Sequence, residues 1–181
     1  MQLDDDLAWL KDVKHRVSPN FSKRPQGVDV DMIVIHGISL PEGQFNNAYI
    51  DQLFTNTLDW EADPSFEDLK DLKVSAHVMI NREGVITQYV SFQAAAWHAG
   101  VSEFQGRTHC NDFSIGIELE GDDHTAYTKA QYEILIPLVQ TLCRAYPHVT
   151  QDRIVGHETI APGRKTDPGK HFDWSVFKNA F

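Results

Sequence analysis

The chain has 181 residues, of which 16 are Lys or Arg and 26 are Asp or Glu, for a formal net charge of −10. That length suits one domain around a single core, and 41% hydrophobic with 23% charged residues is the balance of a soluble globular protein. The acidic excess argues against broad binding to nucleic acid or anionic membrane, and no apolar run reaches the roughly 18 residues of a membrane span.

The first residues, Met1-Gln2-Leu3-Asp4-Asp5-Asp6, are acidic where a secretory signal is basic, and no apolar segment follows them. This predicts a chain that stays in the cytoplasm. Residues 1–29 read as a short helix followed by loop, with Ser18-Pro19-Asn20 and Arg24-Pro25-Gln26-Gly27 as breakers. Asp31-Met32-Ile33-Val34-Ile35-His36 is a continuous apolar run, the pattern of a strand buried on both faces, and it is predicted to leave the sheet at His36-Gly37.

Asn46 to Phe54 places Tyr49, Ile50, Leu53 and Phe54 on one helical stripe. Residues 61–73 are charged and read as loop with a helical turn or two. Ala76–Asn81 and Val85–Val90 flank Arg82-Glu83-Gly84, the pattern of a β-hairpin. Ser91 to Asp112 is expected to be one long connection, and long connections in small domains tend to carry function.

Phe113 to Glu120 alternates, with Phe113, Ile115, Ile117 and Leu119 on one face and Ser114, Gly116, Glu118 and Glu120 on the other. Thr128 and Gln131 stand at capping-box spacing and open the strongest predicted helix, with Pro137 inside it as an expected kink. Arg153–His157 reads as a short strand, Glu158–Lys170 as a Pro/Gly loop, and Asp173 as the cap of a last helix to Ala180. The expected architecture is α/β (more strictly α+β), a single domain over residues 1–181 with a central mixed β-sheet flanked by helices.

Two of the nine histidines, His36 and His157, each end a predicted apolar strand. If those strands are parallel neighbours, both imidazoles emerge at one sheet edge, where rigid backbone suits metal ligation. A hydrogen-bonded histidine that merely terminates a strand is the alternative. Asp167 lies ten residues past His157 in a loop able to fold back over that edge. Two His and one Asp would leave a fourth position open, as catalytic zinc sites do, although before Pro168 an Asp is also an ordinary turn residue.

Glu118 and Glu120 share a strand face and offer a general base, or else a solvated polar surface. Read as paired carboxylates they would suggest a glycosidase, but neighbours on one strand cannot easily flank a bond. Lys165 stands two residues before Asp167 and is placed to stabilise oxyanion charge, or is a plain surface lysine. Trp97-His98-Ala99-Gly100 offers either one wall of a sugar cleft or a buried aromatic anchor. Cys110 and Cys143 lack any CxxC spacing and read as small buried apolar residues rather than thiolate ligands.

Taken together, several segments are similar to one known family. They are Val34-Ile35-His36, Val74-Ser75-Ala76-His77, Ala96-Trp97-His98-Ala99-Gly100, the run from Cys110-Asn111-Asp112-Phe113 through Glu118-Leu119-Glu120-Gly121, and Gly156-His157-Glu158 through Arg164-Lys165-Thr166-Asp167-Pro168-Gly169. In this order they resemble the AmpD-type N-acetylmuramoyl-L-alanine amidases, within the wider group of peptidoglycan-recognition proteins and phage amidases.

The resemblance implies that one Zn2+ is held by His36, His157 and Asp167, with Glu118 as the catalytic carboxylate and Lys165 as the second catalytic group. It implies 1,6-anhydro-N-acetylmuramyl peptides as substrates, handled by a cytoplasmic monomer in wall recycling. Substrate contacts are expected from Trp97, His98, Ala99, Gly100, His109 and Asn111. Arg164 and Lys165 are candidates to offset the acidic field for a substrate that itself carries carboxylates. Gly37 stands where many members have Asn, and His109 where Arg is common, so substrate contacts there differ. A non-catalytic peptidoglycan-binding module and an amidase acting on polymeric wall are the other readings.

Overall fold

Two seven-residue strands, Met32–Ile38 and Ser114–Glu120, lie side by side in parallel through the centre of the molecule and set everything around them. The computed structural model describes residues 1–181. In chain order the strands are β1 (Lys14–His15), β2 (Phe21–Lys23), β3 (Met32–Ile38), β4 (Val78–Ile80), β5 (Ile86–Gln88), β6 (Ala94–Ala96), β7 (Glu103–Phe104), β8 (Arg107–Thr108), β9 (Ser114–Glu120) and β10 (Ile154–Gly156). The helices are α1 (Tyr49–Phe54), α2 (Lys129–Ala145), α3 (His157–Ile160) and α4 (Trp174–Lys178). The main sheet has the order β1-β5-β4-β9-β3-β10, parallel throughout except for the antiparallel β4–β5 hairpin. It is the mixed sheet with flanking helices that the sequence pattern implies.

The alternation of β3 and β9 sorts their side chains. Ile33, Ile35, Ile115, Ile117 and Leu119 pack in the main core with Leu135, Leu138, Val139 and Leu142 of α2. Burying each such side chain stabilises the fold by about 1.5–3 kcal/mol. Met32 and Val34 turn to the opposite face, against Phe113, Cys110 and Ile160. His36 and Glu118 belong to that second face by parity. Helix α2 opens on the expected capping box, with the Thr128 hydroxyl accepting from the Gln131 amide and the Gln131 side chain accepting from the Thr128 amide. Pro137 sits inside α2 without ending it, and the Thr141 hydroxyl donates to its carbonyl. No helix is long and apolar enough to cross a membrane.

Several sequence expectations require correction. Residues 1–29 contain no helix; they form a Leu3–Leu10 bridge and the short strands β1 and β2. Here Asp4 accepts from the Ala8 and Trp9 amides, and Leu7 and Asp12 take positive φ, so the backbone turns rather than coils. Strand β3 continues past His36 to Ile38. Helix α1 begins only at Tyr49, because Asn46 has φ 58° and the Asn47 side chain accepts from the Tyr49 amide. The long connection after Ser91 is built from β6, β7, β8 and a 3-10 turn at Cys110–Asp112. The polar face of β9 is buried at every position rather than solvated, because His98 packs over Ser114 and Gly116 and the Asn46 and Arg82 amides take up Glu120.

Candidate active site

Parallel pairing of β10 with β3 brings the chain after Gly156 to the same end of the sheet as His36. His157 is the first residue of α3, one step beyond the strand that was expected to contain it. The loop that follows folds back, with the Glu158 amide donating to the Asp167 carbonyl, and returns the Asp167 carboxylate to the two imidazoles. His36 Nδ1 and His157 Nδ1 are 3.0 Å apart, and each lies 3.1 Å from Asp167 Oδ2. Ligand atoms of all three fall within 4.8 Å of one another, a group able to hold a metal ion.

The protonation pattern fits a cation at that point. His157 Nε2 lies 3.1 Å from the Ala99 carbonyl, which only accepts, so Nε2 carries the proton and Nδ1 presents its lone pair. Burial lowers the His36 pKa to about 4, against the pull of Asp167, so this ring is neutral at pH 7. Burial alone would raise the Asp167 pKa, but the influence of the adjoining His157 and His36 rings outweighs it and the carboxylate is held well below its usual range. A neutral imidazole and a carboxylate facing one point make a donor set without a proton to share, which is what a divalent metal takes.

A second layer stands behind this group. His36 Nε2 is 2.9 Å from His98 Nδ1, and His98 Nε2 is 3.1 Å from the Ser114 hydroxyl, which is 2.6 Å from the Cys110 carbonyl. The His98 ring occupies the space where a side chain at position 116 would lie, so Gly116 is required on β9. Asn111 Oδ1 accepts from the His98 and Ala99 amides and fixes that segment against the sheet. Gly37 also has a steric reason: a Cβ there would overlap the Tyr127 hydroxyl, which donates to the Pro168 carbonyl at 3.0 Å.

Glu118 on β9 is the ladder partner of His36 on β3, and side chains paired this way leave the sheet on one face. The carboxyl is buried and its Oε2 has no hydrogen-bond partner. Burial pushes its pKa well up, the Asp167 charge adds to that, and Lys165 opposes it. A cleft of about 230 Å³ is lined by His36, His157, Asp167, Glu118, Lys165, His98 and Trp97. Its other wall is apolar, built by Leu40, Leu53, Phe54, Leu69, Leu72 and Val74.

Of the residues singled out in the sequence, His36, His157, Asp167, Glu118 and Lys165 therefore meet in one cleft, with Trp97 and His98 beside them. Ala99, Gly100, His109 and Asn111 are not part of its lining. The Ala99 carbonyl accepts from His157 and the Asn111 side chain accepts from the His98 amide, while His109 caps the 3-10 turn with φ 59°. Glu120 is tied to the Asn46 and Arg82 amides, away from the cleft, which removes the paired-carboxylate reading. The Arg164 guanidinium is committed to the Ala99 and Val101 carbonyls, leaving Lys165 as the cation in the cleft. Ser114, Tyr127 and the apolar wall had no role assigned from sequence; Ser114 was visible only as a member of the Glu118 strand face.

A model of the N-acetylmuramoyl-L-alanine amidase family matches residues 26–170. The chain belongs to that family. Among its amidases, 1,6-anhydro-N-acetylmuramyl-L-alanine amidase AmpD of Enterobacter cloacae is 53% identical over 170 residues, covering 94% of this chain and 90% of that one. AmpD of Escherichia coli K12 is 50% identical, with 96% and 94% covered. A crystal structure of an AmpD selenomethionine derivative superposes with TM-score 0.95 at 49% identity over 99% of both chains. The amidase fold expected from the sequence is thus the fold observed.

Proposed function

We propose that this chain is a zinc-dependent amidase that hydrolyses the bond between (1,6-anhydro-)N-acetylmuramic acid and the L-alanine of the stem peptide in cytoplasmic muropeptides, as part of peptidoglycan recycling. The observation that carries the reading is the convergence of two imidazole nitrogens and one carboxylate oxygen beside an unpaired buried carboxyl. Two His and one Asp are ligands that suit zinc and leave one coordination position open. The identity to AmpD amidases supports the substrate. So does an Escherichia coli relative, AmiD, which is 30% identical with TM-score 0.62 over 87% of this chain and 60% of that one. Its structure holds anhydro-N-acetylmuramic acid-L-Ala-D-gamma-Glu-L-Lys.

When bound, zinc would supply Lewis acidity, able to lower the pKa of a water and to polarise the scissile carbonyl. His36, His157 and Asp167 would hold it. Glu118 takes the proton of the attacking water at its free Oε2 and delivers it to the departing alanine nitrogen. Burial raises the pKa of that carboxyl and makes it a better base toward the water, and the departing amine, more basic still, then takes the proton. The Lys165 ammonium stabilises the negative charge that develops on the lactyl carbonyl oxygen. The apolar wall keeps bulk water from that side of the cleft and strengthens both electrostatic effects.

A non-catalytic binding module would need neither a complete donor set nor an orphaned carboxyl, and this chain has both. Mass spectrometry of products from defined anhydro- and ordinary muropeptides tests the proposal. It predicts a free stem peptide and an intact sugar, with the anhydro substrate cut faster. Cleavage within the peptide or the glycan, or equal rates on both sugars, contradicts it.

A further inference from the structure

Burial and donor counting around His36 single out a residue with no assigned role in the reaction. His98 is buried at the edge of the cleft, and it links His36 to β9 through an unbroken hydrogen-bond chain. The direction of the chain is fixed at its far end. The Cys110 carbonyl is an acceptor only, and the Ser114 oxygen lies 2.6 Å from it, so the single hydroxyl proton points there. The Ser114 oxygen must then accept from His98, which puts the His98 proton on Nε2. His98 Nδ1 is left with its lone pair and accepts from His36 Nε2. His36 Nδ1 is therefore unprotonated and faces Asp167 and His157 as a donor to a cation.

We infer that His98 is a positioning residue that locks His36 in the metal-binding tautomer, with the Ser114 hydroxyl and the Cys110 carbonyl as the terminus that sets the direction of the relay. Without it, the neutral His36 ring gains by placing its proton on Nδ1, where the Asp167 carboxylate accepts it, and that proton occupies the position of the metal. Gly116 belongs to the device, because any side chain there displaces the His98 ring. The inference rests on the proposed zinc site, and its structural half is testable without metal.

The test uses four proteins: the parent, His98→Phe, His98→Asn and Ser114→Ala. Phenylalanine keeps the ring packing and removes the acceptor; the asparagine side-chain oxygen restores an acceptor near the place of Nδ1 but packs less well. Nitrogen NMR of labelled histidine in metal-free protein is expected to show His36 protonated at Nε2 in the parent and in His98→Asn, with the proton moving to Nδ1 in His98→Phe. Zinc affinity, by competition with a chelator, should fall by about 10- to 100-fold in His98→Phe, the usual cost of losing an outer-shell partner. It should recover substantially in His98→Asn. Ser114→Ala, a smaller change, should loosen the tautomer preference in the same direction.

A parent His36 protonated at Nδ1 overturns the inference, as does equal loss of affinity in the phenylalanine and asparagine variants with the fold retained. A purely structural role predicts the opposite order, with phenylalanine the milder change. If the parent shows the Nε2 tautomer but binds no zinc, it is the metal reading that fails, while the relay itself stands.

Discussion

Glu118 stands directly across the β3–β9 ladder from His36, so one register pair of a parallel sheet presents a metal-type donor and an unpaired carboxyl to the same cleft. Neighbouring strands lie about 4.8 Å apart, and backbone hydrogen bonds on both sides of β9 hold that spacing. The relation between ligand and base is thus a property of the sheet rather than of a loop.

If Glu118 moves the proton, then Glu118→Gln keeps shape and burial but not basicity. Turnover should fall by about 100- to 10,000-fold, with bound zinc and thermal stability close to the parent. Zinc content by mass spectrometry and rates on an anhydromuropeptide check this together. A fully active variant would remove Glu118 from the reaction.

Asp167 is the only anion among the three convergent donors. Asp167→Asn is expected to weaken zinc binding by more than the roughly 10- to 100-fold typical of an outer-shell change, while the fold persists on β3 and β9. Chelator competition measures the difference, and parent-like affinity would show that the carboxylate is not a ligand.

These roles were legible in the chain to different degrees. His36 and Glu118 sit in strands whose apolar content is unmistakable, and His157 and Asp167 follow a third strand at short range. An aromatic next to small residues suggests one wall of a cleft, and His98 does line it, but the pattern says nothing of what holds the ring. Its true partners, His36 and Ser114, are 62 and 16 positions away, and local pattern does not report such contacts. The N-terminal segment misled for the same reason. Its Ala8 carbonyl and Leu10 amide are held by the Gln88 side chain, 80 and 78 residues distant, and that tertiary contact overrides any local helical tendency. The buried polar face of β9 depends on His98 and on the Asn46 and Arg82 amides, contacts that strand alternation alone cannot convey.

Gly37 and Tyr127 should be energetically coupled. Gly37→Ala forces the new methyl against the Tyr127 hydroxyl and is expected to cost about 1–3 kcal/mol. Tyr127→Phe removes that hydroxyl and its bond to Pro168, at about 1–3 kcal/mol of its own. In the double variant the alanine should be tolerated better, with a coupling of at least about 0.5 kcal/mol in denaturant unfolding. Simple additivity would show that the two do not share this space.

Stability should fall on acidification through His77. Its Nδ1 accepts from the Gly116 amide, so the buried ring is neutral, and burial followed by the Arg24 charge lowers its pKa to about 3. An unfolded histidine titrates near 6.5. Between those values the unfolded chain binds the extra proton, so the contribution is complete above about pH 6.5 and is lost as pH falls toward 3. The slope from this one group approaches about 1.4 kcal/mol per pH unit. Urea unfolding from pH 7 to 4 should show a shallower dependence in His77→Asn, which retains an acceptor for Gly116. Parallel curves for the two proteins would count against this role.

The central claim is that the cluster of His36, His157 and Asp167 works only with its metal. Metal-free protein titrated with zinc, while stem-peptide release from an anhydromuropeptide is followed, addresses it most directly. Activity should be absent at the start, rise in proportion to added zinc and level off at one equivalent. Undiminished cleavage by the metal-free protein in excess chelator would contradict the account.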